Sequence, residues 1–74
     1  MHLTASILRS LSQRFSRRGI YDVSDSFAIA AACSARGDIF GREVWIDSAI
    51  EKMALYGIRV PPIVRTFALS DLAA

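Results

Sequence analysis

Two side chains in the 74-residue chain are of the kind that does nucleophilic, acid–base or metal chemistry near neutral pH, His2 and Cys33, and neither has a partner nearby in sequence. Both roles need a titratable group held within hydrogen-bond reach of a second one. His2 sits beside Met1, at a terminus, and Cys33 lies in an alanine-rich stretch with no local base, which reads as an inert core thiol. Asp22 with Asp25, and Glu43 with Asp47, are candidate carboxylate pairs, but helix capping and a solvated helix face account for both. One histidine and one cysteine fall short of a zinc ligand set, and no calcium-loop spacing is present. The stretch Gly37-Asp38-Ile39-Phe40-Gly41-Arg42 has two glycines and a cation, as a phosphate loop does. It lacks the closing Lys-Ser/Thr, and Asp38 would repel an anion. The expectation is a protein that is not an enzyme and that uses no cofactor and no metal.

Arginine is what the sequence concentrates. Residues 1–21 hold Arg9, Arg14, Arg17 and Arg18 and no acid, a charge of +4. Residues 22–74 hold five bases against seven acids, a charge of −2, so the net +2 belongs to the first segment. A split of this kind points to nucleic acid, an anionic membrane surface or an acidic protein. Trp45 and Tyr56 add aromatic character of the sort enriched where interface energy concentrates.

These residues need elements to position them. Leu3, Ile7, Leu8, Leu11 and Phe15 fall within an arc of about 140° on a helical wheel, which predicts an amphipathic helix over 3–18. Arg14 and Arg18 are expected on its apolar flank, with their stems over a neighbouring helix and their heads reaching its acids. Asp22 or Ser24 is expected to cap a second helix over 25–36, apolar all round and therefore central and buried. Asp38 to Gly41 reads as a connection. A third helix over 42–56 gathers Trp45, Ile46, Ala49, Ile50, Met53 and Tyr56 on one face. Beside them Glu43, Asp47 and Glu51 form an acidic ridge, for which the first helix is the expected basic counterpart. Gly19, Gly37 and Gly57 each follow a helical segment, as a left-handed terminator does. Residues 62–72 are a helix opened by Pro62, burying Ile63, Phe67 and Leu69 to Leu72, or alternatively a strand. The fold class is all-α, a small bundle of three to four short helices in one domain spanning 1–74.

Hydrophobic residues make up 53% of the chain, which excludes a disordered polar tail. A single cysteine excludes a disulfide framework. No continuous apolar run suits a secretory signal or a membrane span. The Arg- and Ser-rich start also has the profile of a mitochondrial transit peptide, a reading placed below that of a folded helix. A reducing cytoplasm is expected, and the excess of arginine over lysine points to a bacterial source. A helix-turn-helix around Gly37 fits poorly, because the register set by Gly37 and the one slid by a residue each bury a charge and the second helix would turn its acids toward phosphate. A domain this small cannot hide all its apolar surface, so some is expected to face a partner. The first reading is a small non-enzymatic regulator or inhibitor that binds another protein, through a hydrophobic surface and the Arg-rich helix. A second copy of the chain is a further candidate partner. The alternative is nucleic-acid binding through Arg9, Arg14, Arg17 and Arg18, and membrane-surface adsorption of the first helix ranks third.

Overall fold

The computed structural model describes residues 3–66, and among them the protein is all-α: α1 (Ala5–Arg17), α2 (Tyr21–Ala35) and α3 (Ile39–Leu55), with residues 62–66 also helical. The helix expected to open at Pro62 is present over 62–66, so the alternative strand does not form as far as residue 66, and the remainder of that segment lies outside the described residues. Ile63, expected to be buried, is exposed, and Val64 takes the core position instead, with Pro61 buried ahead of it. His2, Phe67 and Leu69 to Leu72 likewise lie outside the described residues.

One backbone device ends all three helices. Gly19, Gly37 and Gly57 have φ of 76°, 78° and 69°, a region that costs a residue with a Cβ and costs glycine nothing. After each glycine the next amide reaches back to a carbonyl of the last turn: Ile20 N–H to Phe15 O at 3.0 Å, Asp38 N–H to Cys33 O at 2.9 Å, Ile58 N–H to Met53 O at 2.9 Å. These are Schellman closures, which satisfy carbonyls the helix leaves unpaired. Because the next helix begins directly after each of the first two, the links are short and neighbouring helices fold back on one another.

The helix starts differ from expectation for stated reasons. Thr4 caps α1, its Oγ1 accepting from Ile7 N–H at 3.2 Å. Asp22 and Ser24 do not cap α2; the N-cap is Ile20, which offers no side-chain acceptor, because the Schellman turn delivers the chain straight into the helix. Asp22 still serves the first turn from inside it, accepting Val23 N–H at 3.0 Å. Asp38 is both the closing residue of the α2 turn and the cap of α3, with Oδ1 accepting Gly41 N–H at 2.9 Å. Residues 39–41 are therefore helical, not a connection.

The helices form a row with α2 in the middle: α1 packs on α2, α2 packs on α3, and the α1 and α3 backbones do not approach one another. Leu8, Leu11 and Phe15 of α1, Val23, Phe27, Ala30 and Ala31 of α2, and Ile46, Ala49 and Met53 of α3 make one core with Leu3 and Val64. Phe15 and Phe27 stack across the first interface with ring centroids 5.7 Å apart. There too Ser12 Oγ donates to Ser24 O at 2.9 Å and Ser24 Oγ donates to Ser12 O at 2.8 Å, a reciprocal clasp that small side chains alone permit. Contrary to expectation α2 is not buried all round: Ala28, Ile29 and Ala32 face solvent, because only two helices flank it.

Candidate functional site

The row of helices leaves two outward faces, one on α1 and one on α3, with different chemistry. On α1 the apolar residues go to the core and the remaining positions carry Ser6, Arg9, Ser10, Gln13, Arg14, Ser16 and Arg17, all exposed. Arg14, Arg17 and Arg18 gather at the C-terminal end of the helix with Ser10 and Gln13, around a shallow concavity of about 360 Å³. Cations there also suit the negative end of the helix dipole. The expectation that Arg14 and Arg18 reach acids on a neighbouring helix is not met. Both are exposed, and the ion pairs among the described residues are Arg36 with Asp38 and Arg42 with Glu43. Arg18 instead sets its guanidinium 5.8 Å from the centre of the Phe15 ring. The acidic ridge is not answered by α1 either, since α2 stands between them. Glu43 is met by the preceding Arg42, whose Nε and Nη2 donate to Oε1 at 2.9 and 2.7 Å. Asp47 and Glu51 face solvent.

On α3 the outward stripe is Phe40, Val44, Asp47, Glu51 and Leu55, spaced by four, three, four and four residues so that they stand above one another. Phe40 is 81% exposed, Leu55 87% and Val44 46%. Burying residues of these types is worth about 1.5–3 kcal/mol each, so leaving them in water is an unspent driving force. A helix begun at Arg42 leaves Phe40 outside it and hides this stripe; the four-residue step from Phe40 to Val44 is the signal in the sequence.

Trp45 and Tyr56, the expected interface aromatics, occupy the opposite edge of α3, toward α2. Trp45 is half-buried against the core with the Lys52 ammonium 6.0 Å from its ring centre. Tyr56 is exposed on its ring but its hydroxyl hydrogen-bonds the Asp22 carboxylate at 2.9 and 3.0 Å. That bond raises the phenol pKa above its ordinary 10.0, since the carboxylate accepts from the neutral form and repels the charged one. The structure therefore separates the six sequence-derived site residues: Arg9, Arg14, Arg17 and Arg18 are exposed on α1, while Trp45 packs against the core beside Lys52 and Tyr56 bonds Asp22 of α2.

One pair has the outline of catalytic machinery. Lys52 Nζ donates to Ser26 Oγ at 2.8 Å, and Ser26 Oγ donates to Asp22 O at 3.1 Å. A serine–lysine nucleophile needs a substrate path and a lysine able to take the proton. Ser26 is fully buried and its hydroxyl proton is committed to a backbone carbonyl, so the arrangement ties α2 to α3 and offers no attacking atom. Among the described residues no group of three or more His, Cys, Asp or Glu side chains is placed to hold a metal ion. Cys33 is buried with the Arg36 Nη2 3.4 Å from its sulfur. No described helix is long and apolar enough to cross a membrane. No protein-family model, curated protein or solved structure matches the chain.

Proposed function

We propose that the protein is a small non-enzymatic regulator or inhibitor that docks on another protein through the outer stripe of α3. The observation that carries this reading is the near-complete exposure of Phe40 and Leu55 at the two ends of one helical face, with Val44 between them. Residues 40 and 55 stand about 22 Å apart along a helix rising 1.5 Å per residue, the span over which an amphipathic helix seats its anchors in a groove. The partner that fits is a groove with apolar pockets at its two ends, for Phe40 with Val44 and for Leu55, and basic residues between them to receive Asp47 and Glu51. A second copy docked by the same stripe fits less well, because antiparallel pairing of two α3 helices would crowd Asp47 and Glu51 of both chains together. The Arg-rich face of α1 is free to steer a partner that is itself acidic elsewhere. A cytoplasmic setting agrees with the buried free thiol of Cys33.

The test is affinity purification from the native host with three forms of the protein: wild type, Phe40→Asp/Leu55→Asp, and Arg9→Gln/Arg17→Gln, each first shown to keep its helical circular dichroism. A partner recovered near stoichiometry with wild type and with the arginine variant, and lost with the α3 variant, supports the reading. A partner retained by the α3 variant, or none recovered with any form, removes it.

A further inference from the structure

A second surface lies on the far side of the molecule. We infer that the outer face of α1 is a binding surface for duplex nucleic acid, with Arg9, Arg14, Arg17 and Arg18 neutralising backbone phosphates and Ser10 and Gln13 available as neutral donors between them. Three observations carry it. Four arginines share one short helix and its cap without an acid among them, and no ion pair engages any of them within the described residues. Helix-dipole stabilisation accounts for cations in the last turn, where Arg14 and Arg17 stand, but not for Arg9 two turns earlier. The acids of α3 that would repel phosphate lie beyond α2, on the opposite side of the row.

The same geometry selects among polyanions. Adsorption to a membrane surface needs apolar residues to enter the headgroup boundary. In α1 Leu8, Leu11 and Phe15 are sealed in the core and Ile7 is half-buried against it, so none stands out from the helix to enter the boundary. A single strand is held chiefly by bases stacked on aromatic rings. The sole aromatic of α1 is Phe15, which is buried, and the exposed Tyr21 at the start of α2 is a single ring, too little to stack successive bases. What remains suits a duplex: a helix of 13 residues, about 20 Å long, that touches only α2 among the three described helices and carries its arginines exposed, fits a major groove about 12 Å wide. Arginine and glutamine are the side chains that pair with guanine and adenine edges there.

The experiment is fluorescence anisotropy of the full chain with a labelled duplex of about 20 base pairs and a single strand of the same length, from about 50 to about 300 mM salt. Four phosphate contacts predict a duplex complex whose log K falls with log salt at a slope of about −3 to −4. In Arg14→Gln/Arg17→Gln two contacts remain, so the slope should shrink to about −2 and the affinity at low salt should fall on the order of 100-fold. Phe40→Ala/Leu55→Ala, on the far face, should bind as wild type does. The inference is overturned by the absence of a duplex complex at tens of micromolar protein, by a slope near zero, by tighter binding of the single strand, or by an arginine variant indistinguishable from wild type. Vesicles containing phosphatidylserine complete the test: capture by them with no duplex complex would reassign the surface to lipid headgroups. None of these readouts depends on the partner proposed for α3.

Discussion

Replacing Gly41 with alanine sets helix propensity against packing at one atom. On propensity the change is favourable, since alanine is better than glycine inside a helix by about 1 kcal/mol. The neighbourhood opposes it. A Cβ at this position would run into the Asp38 carboxylate and come within 3.0 Å of Cys33 Sγ. The Asp38 side chain can swing away, but it then gives up Gly41 N–H, and a lost N-cap costs about 1 kcal/mol. Cys33 is buried in α2, so its sulfur must give way within a packed core, an overpacking penalty of about 1–3 kcal/mol. Adding the two costs and subtracting the propensity gain leaves Gly41→Ala less stable by about 1–3 kcal/mol. In a domain of this size each kcal/mol moves the midpoint by about 4–8 °C, so thermal circular dichroism should show a fall of at least that much. Cys33→Ala in the same chain should return part of the loss by opening the space its sulfur occupied. A variant that melts at or above the wild-type temperature would show that the α2–α3 approach is looser than the contact distances imply, and would refute the reasoning.

Four further outcomes follow from the packing. Phe27→Ala removes a fully buried ring at the centre of the core, a loss of about 3–5 kcal/mol against a core that supplies about as much in total, so cooperative melting should disappear. Ser12→Ala and Ser24→Ala should each cost about 1 kcal/mol in urea unfolding, and a double-mutant cycle should return a coupling above about 0.5 kcal/mol, strict additivity being the contrary result. Lys52→Ala takes the ammonium away from the buried Ser26 hydroxyl and should destabilise by about 1–2 kcal/mol, with Lys52→Ala/Ser26→Ala no worse than the single change. The Tyr56 phenol ionises at higher pH in the folded chain than in the unfolded one. The stability from its bond to Asp22 is thus fully present below pH 10.0 and is lost as pH rises through the raised folded value. Phenolate absorbance against pH should show one tyrosine titrating lower in Asp22→Asn than in wild type, and superimposable curves would contradict the assignment.

The helix order was legible because three glycines mark three ends and because Leu8, Leu11 and Phe15 repeat with helical period. Starts were harder to read. Ile20 has no capping oxygen, so nothing in its type announces a helix; the signal is the backbone closure delivered by Gly19. Phe40 reads as part of a connection beside Gly41, whereas Gly41 is the residue that lets Asp38 fold back as a cap. The pairing of the acidic ridge with the basic helix failed for a different reason: charge complementarity says which surfaces could meet, but the order of helices across the row decides which do. As a result the exposed arginines of α1 are legible in the sequence and the exposed Phe40–Leu55 stripe is not. Trp45 and Tyr56, conspicuous by type, turned out to be occupied by Lys52 and Asp22.

The placement of α2 has a thermodynamic corollary. Its two flanks are held by different groups, Ser24 and Phe27 toward one neighbour, Asp22 and Ser26 toward the other, and no backbone contact bypasses it. Among the three helices this middle rod is the mechanical link between the outer two, although Leu3 and Val64 share the same core from outside it. While the rod stays put, ligands on the two sides load as independent events whose equilibrium constants multiply, and a departure from that product would measure how far the rod yields.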